Sequence, residues 1–167
     1  PLDFGTVSEK RLWVPMRDGV RLSGYAYFPQ GDGPWPVLFQ QRYNSVVAAD
    51  TSRISAAKLA EKGYVVVNVN FRGAQMSEGT WVGYRALGWG ELKDGYDTCE
   101  WLAAQPWSNG KIGTFGNSQG GLAQNFLAVT QPPHLVAQYM TDTVVSLFHG
   151  GYRIGGITRS ERFKRME

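Results

Sequence analysis

The sequence is short of the residues that would tie it to a metal, a membrane or a polyanion. It holds one cysteine, Cys99, which excludes an internal disulfide. Its two histidines, His134 and His149, form no H-E-x-x-H motif and no cluster with cysteine, so neither a metal nor a cofactor is implied. Neither G-x-x-x-x-G-K-[ST] nor G-x-G-x-x-G occurs, which removes the common phosphate-cradling loops. No apolar run approaches the roughly 20 residues of a transmembrane helix. The net charge is only +3, and the densest basic stretch, residues 159–165, is interrupted by Glu161. With no basic stripe, nucleic acid is not an expected partner, and a membrane is not either. No leader of charged start, apolar stretch and cleavage site is visible, which favours the cytoplasm. The chain opens on Pro1 with no Met before it, so its native start is expected upstream.

What is present suits one globular domain with a sizeable core: 167 residues, 43% hydrophobic and 13% aromatic. Residues 10–28 read as a β-hairpin turning at Arg17-Asp18-Gly19. Its second arm alternates, with Val20, Leu22, Gly24, Ala26 and Phe28 on one face and Arg21, Ser23, Tyr25 and Tyr27 on the other. A Gly/Pro-rich loop, residues 29–36, leads into an apolar strand opening at Val37-Leu38-Phe39. The period then becomes helical over residues 50–62, with Ile54, Ala57, Leu59 and Ala60, and stops at Gly63. Residues 64–69 are a β-branched run without alternation, the pattern of a strand buried on both faces. Residues 92–104 read as a helix, with Tyr96, Cys99 and Ala103 inward and Asp94, Asp97 and Glu100 toward water or capping the first turn. A strand at 111–115, a helix at 118–129 and a strand at 135–140 follow. The alternation predicts an α/β fold: a mostly parallel sheet with helices on both faces and the hairpin as an antiparallel edge. After Thr141 the pattern lapses into a Gly-rich and then a charged stretch.

The strongest chemical signal is Gly116-Asn117-Ser118-Gln119-Gly120-Gly121. It matches G-x-S-x-G between a predicted strand and a predicted helix, the context in which the motif carries a nucleophile. A serine on so tight a turn sits above the carboxyl edge of the sheet, and small neighbours let the backbones pass. The N–H of Gln119 and the helix N-terminus then point at the same place, where an oxyanion would gain both. The alternative is a Gly-rich turn with an ordinary serine N-cap. Tyr43, read from its surroundings alone, is a half-buried aromatic at a strand end. Arg72 reads as the partner of a carboxylate that braces its loop.

Several motifs in order resemble the CocE/NonD hydrolases, the group that includes cocaine esterase and is related to X-Pro dipeptidyl-peptidases and α-amino acid ester hydrolases. They are Val14-Pro15-Met16-Arg17-Asp18-Gly19-Val20-Arg21-Leu22, Gly33-Pro34-Trp35-Pro36-Val37-Leu38, and Gly63-Tyr64-Val65-Val66-Val67 with Arg72-Gly73 and Ser77-Glu78-Gly79. Asp94, Asp97, Trp101, Trp107, Gly110, Gly113 and Phe115-Gly116 before Ser118 complete the set, which spans about residues 10–145. The resemblance implies an α/β-hydrolase fold, here incomplete, and a Ser-His-Asp triad. It implies Ser118 as nucleophile, with the Tyr43 hydroxyl and the Gln119 backbone N–H as oxyanion donors. Relatives often carry Tyr where Gln119 stands, and commonly Asp-Thr where Asn70-Phe71 stands. Since only its backbone is needed, the Gln119 side chain is expected to affect substrate shape more than catalysis.

A serine nucleophile needs a base, and in this fold the order is Ser, acid, His. His134 enters a strand from the end opposite Ser118. Asp142 and His149 have the right order, but the resemblance implies an acid and a histidine beyond Glu167, after a helical cap. The expected organisation is therefore residues 1–145 as the N-terminal part of the catalytic domain and 146–167 as the start of a truncated cap. The expected function is hydrolysis of an ester or amide, from a small-molecule or peptide acyl substrate, through an acyl-serine intermediate. The 167-residue chain alone is expected to be inactive, with an uncovered sheet edge. A non-catalytic binding module and an acyltransferase using the same serine are the alternatives.

Overall fold

The computed structural model describes residues 4–46, 50–88, 90–158 and 160; the end of the expected cap, residues 161–167, lies outside the described residues. Strands β1 (Ser8–Pro15) and β2 (Arg21–Phe28) form the expected hairpin, in register from Ser8 opposite Phe28 to Pro15 opposite Arg21. The remaining large strands are β3 (Trp35–Arg42), β4 (Val65–Asn70), β5 (Ser108–Asn117) and β6 (Leu135–Thr141). The sheet order is β1-β2-β4-β3-β5-β6. Strands β4, β3, β5 and β6 run parallel, and β2 joins β4 antiparallel, so the hairpin is an antiparallel edge.

Helix α1 (Asp50–Ala60) covers one face of the sheet; α3 (Asp94–Ala103) and α4 (Gln119–Ala128) cover the other, with the short α2 (Arg85–Gly88) beside them. Four residues are too few to show a helical period, and α2 has no signal in the sequence. The period-2 alternation of β2 sorts as expected: Leu22, Ala26 and Phe28 enter one core, Tyr25 and Tyr27 the other. Both sets are buried because β2 lies between two strands rather than at the sheet margin. All six residues of β4 are buried, as an unalternating strand in mid-sheet should be. The outermost strand, β6, leaves Val136 and Tyr139 exposed.

Parallel strands bring the ends of β3, β4, β5 and β6 to one edge, the position where open α/β sheets place their sites. The β1–β2 turn reaches the same edge because β2 runs against β4. There the structure corrects one sequence expectation. Asp94 and Asp97 do not face water: Asp94 is 1% exposed and accepts from Arg72 through Nε at 2.9 Å and Nη2 at 2.7 Å. Arg72 also donates to Asp18 in the hairpin turn, and Arg17 donates to Asp97 at 2.6 Å. The spacing of 94 and 97 puts both carboxylates on one helical stripe, and that stripe meets arginines supplied by the turn and the β4 exit. Arg72 is thus a brace, as read from the sequence.

Past β6 the chain makes a π-helical turn, Leu147–Tyr152, and a small hairpin of β7 (Arg153–Ile154) and β8 (Ile157–Thr158). Neither was legible in the Gly-rich sequence.

Candidate active site

Ser118 stands alone between the last residue of β5 and the first of α4. Its φ is 48° and its ψ −113°, a left-handed conformation that costs a non-glycine residue about 1–3 kcal/mol. Surrounding bonds hold it there. The Ser118 N–H donates to the Thr141 carbonyl at the end of β6, 3.1 Å away, and its carbonyl accepts from Leu122 N–H at 2.9 Å. Gly116 makes the turn possible: a Cβ there would lie 3.0 Å from the Gly120 carbonyl carbon. At Gly121 a Cβ would come within 2.8 Å of Thr143 Cβ, so the helix start packs directly on the chain leaving β6.

The same geometry separates the two readings of this serine. An N-cap serine has extended backbone and its hydroxyl accepts from the first helical turn. Ser118 has positive φ, its side chain makes no capping bond, and the residue is exposed. The start of α4 carries backbone N–H groups without intrahelical partners and the positive end of its dipole.

Tyr43 lies one residue past β3 and is 38% exposed. Its ring sits among aromatics, with ring centroids 6.0 Å from Phe71, 5.9 Å from Trp81 and 6.3 Å from Tyr84. Phe71 and Trp81 stack at 20°, and Tyr84 stacks on Phe126 at 21°. This group continues the core under α2 and α4 up to the sheet edge. Sequence reasoning missed it; the only trace was a high count of aromatics, which does not say where they meet.

Tyr43 and Gln119 are brought together. Gln119 Oε1 accepts from the N–H of Tyr43 at 3.1 Å and of Asn44 at 3.4 Å, and Gln119 is buried. Its side chain therefore faces the Tyr43 loop rather than solvent. From β4, Asn70 Nδ2 donates to the carbonyls of Arg42 at 3.1 Å and Asn44 at 2.8 Å. A cavity of about 360 Å³ opens on the α1 side of the elbow, lined in part by Gln40, Arg42, Ser55, Phe115 and Asn117.

Neither histidine bonds to this cluster among the described residues. His134, beside the start of β6, pairs through Nδ1 with Glu100 Oε2 at 2.7 Å, at the edge opposite Ser118 as expected. The His149 ring lies 3.2 Å from Ser146 Oγ, within its own π-helical turn. Asp142 sits exposed just past β6 with φ 48°. Cys99 is no rival nucleophile: it is fully buried, and burial pushes its thiol up to about 12.

The sequence profile of the X-Pro dipeptidyl-peptidase (S15) family matches residues 18–167. Cocaine esterase of Rhodococcus sp. (strain MB1 Bresler) is 38% identical over 122 residues, covering 71% of this chain and 21% of the esterase. A putative serine esterase of Mycobacterium bovis is 31% identical over 145 residues, covering 72% of this chain and 22% of that protein. The chain thus spans about a fifth of the length of these relatives. Among solved structures, an α-amino acid ester hydrolase superposes with a TM-score of 0.78 at 24% identity, over 98% of this chain and 30% of that one. A CocE/NonD family hydrolase from Staphylococcus aureus gives 0.77 at 28% identity, over 91% and 30%.

Proposed function

Because the chain belongs to the X-Pro dipeptidyl-peptidase (S15) family and has the α/β-hydrolase fold, we propose that it carries the nucleophile and oxyanion site of a serine hydrolase acting on an ester or amide. Ser118 Oγ attacks the carbonyl carbon, and its proton passes to a base. The carbonyl π electrons move to oxygen, where the Tyr43 hydroxyl and the Gln119 N–H receive the charge. Collapse expels the alcohol or amine, and water hydrolyses the acyl-serine. The acid and histidine of the triad come from chain beyond Glu167, with residues 1–145 as the N-terminal part of the catalytic domain and 146–167 opening a cap. The relatives' length supports this: the chain spans 21% of cocaine esterase. The substrate is a small-molecule or peptide acyl compound, for which the aromatics around Tyr43 offer an apolar wall.

The observation that carries the reading is the exposed Ser118 with φ 48° and an uncapped hydroxyl. The test is Ser118→Ala in the native-length protein, with fluorophosphonate labelling of the unaltered serine. Abolished turnover and a single adduct on Ser118 are expected; retained turnover overturns the assignment. Tyr43→Phe should lower kcat roughly 10²–10³-fold, as loss of one oxyanion donor does, and a loss under about fivefold returns Tyr43 to a packing role. With an added alcohol acceptor, free acid is expected as the main product; a dominant transfer product would make the enzyme an acyltransferase.

A further inference from the structure

We propose that Gln119 and Asn70 are positioning residues for Tyr43, two buried amides that clamp residues 42–44 and so set the Tyr43 hydroxyl relative to Ser118. The proposal rests on the reading of Tyr43 as an oxyanion donor. The clamp divides its work by polarity. Gln119 Oε1 takes the two N–H groups, of Tyr43 and Asn44, while Asn70 Nδ2 gives its protons to the two carbonyls, of Arg42 and Asn44. The Phe71 N–H adds a second donor to the Arg42 carbonyl, at 2.9 Å. Gln119 is 7% exposed and Asn70 3%, so both amides are committed to this loop rather than to solvent.

The consequence is geometric. Gln119 is the residue after the nucleophile, so its backbone N–H and the loop that its side chain holds move as one unit. The two proposed oxyanion donors are thereby fixed to each other and not merely to the sheet. Donors aimed in advance need no reorganisation when charge develops, and a misplacement of about 1 Å costs on the order of 10²-fold in rate. Both groups are neutral. A carboxylate at 70 could only accept, and it would face two carbonyl oxygens. Phe71 joins Asn70 and Gln119 at the same place. All three side chains converge on the Tyr43 loop, Phe71 through its ring.

The test measures the effect of Tyr43→Phe on kcat in three backgrounds of the native-length enzyme: wild type, Gln119→Met and Gln119→Glu. The methionine keeps the backbone N–H and the length of the side chain but removes the acceptor; the glutamate keeps the acceptor. The expected result is that Gln119→Met lowers kcat about 10–100-fold with KM within about threefold, and that Tyr43→Phe then costs about 10–100-fold less than it does in wild type. In Gln119→Glu, Tyr43→Phe should keep its full wild-type cost. A Tyr43→Phe cost in Gln119→Met equal to that in wild type overturns the clamp while leaving the oxyanion reading intact. A wild-type enzyme indifferent to Tyr43→Phe overturns both, and Ser118 labelling then shows whether the nucleophile assignment survives. Should Gln119→Met fail to fold, the same cycle with Asn70→Ser, too short to reach both carbonyls, decides it by the same coupling.

Discussion

Two halves of the same sheet edge are locked by different chemistry. Around the β1–β2 turn the lock is ionic: Arg72 bridges Asp18 and Asp94, and Arg17 pairs with Asp97. Around the β3 exit and the elbow it is neutral: Gln119 and Asn70 hold the Tyr43 loop by hydrogen bonds alone. Three consecutive residues join the halves, Asn70 to the loop carbonyls, Phe71 to the Tyr43 ring and Arg72 to the ion network. A carboxylate or guanidinium imposes a field on its surroundings, whereas an amide positions a loop without adding net charge. Ion pairs are strong where the structure only has to stay closed. The turn half is thus braced by ion pairs and the Tyr43 loop by amide dipoles.

The sharpest way to break this contrast is Arg72→Met. It strands Asp94, which is 1% exposed, without its cation, and loss of one partner of a buried pair costs about 3–5 kcal/mol. Urea denaturation should show that loss, and a change under about 1 kcal/mol would mean that the ionic half braces nothing. Next comes Gly116→Ala at the neutral half. With φ 150° and a new Cβ 3.0 Å from the Gly120 backbone, a destabilisation of about 1–3 kcal/mol is expected, and Ser118 labelling should slow. Unchanged labelling would show that the elbow tolerates a side chain there.

Acid should separate the halves as well. The Arg72 guanidinium beside Asp18 holds that carboxyl below the usual carboxylate range, against a smaller opposing effect of burial. A depressed value in the folded state means stability that is present above the unfolded value, near 3.9, and lost as pH falls through the lower folded one. Burial pushes the Asp94 carboxyl the other way, despite Arg72, so the wild-type slope mixes opposite contributions. The difference between wild type and Asp18→Asn isolates Asp18: the two stability curves should converge below about pH 4. Parallel curves through that range would remove Asp18 from the ionic lock. The smallest effect belongs to Arg21→Gln. Its partner Glu78 is exposed with it, and water screens such pairs, so no measurable change in melting midpoint is expected. A clear drop would extend the ionic lock to the hairpin's outer rim.

The elbow was legible because it is local. Gly116, Ser118 and Gly120 meet a steric demand of consecutive residues, and a strand followed by a helix supplies its context. The parallel sheet was legible for a similar reason, since an unalternating Val65-Val66-Val67 run states its own burial. The ionic lock was not. Asp94 and Asp97 look like a solvated helical face until their arginines, 22 residues away for Arg72 and 80 for Arg17, arrive beside them. The contacts of the Gln119 side chain were hidden for the same reason: its partners are 76 and 75 residues back in the chain.

By itself the sequence determined the order of the six large strands and of α1, α3 and α4, the tight turn under Ser118 and the family, because each of these rests on short-range pattern: period, small residues at set spacings and motifs in order. Only the tertiary structure decided which polar side chains meet. That choice depends on the sheet order β1-β2-β4-β3-β5-β6, which sets the ends of β3, β4 and β5 side by side and turns distant glutamine, asparagine and arginine residues into neighbours. Burial then makes those meetings obligatory, since a polar group taken out of water must find a partner.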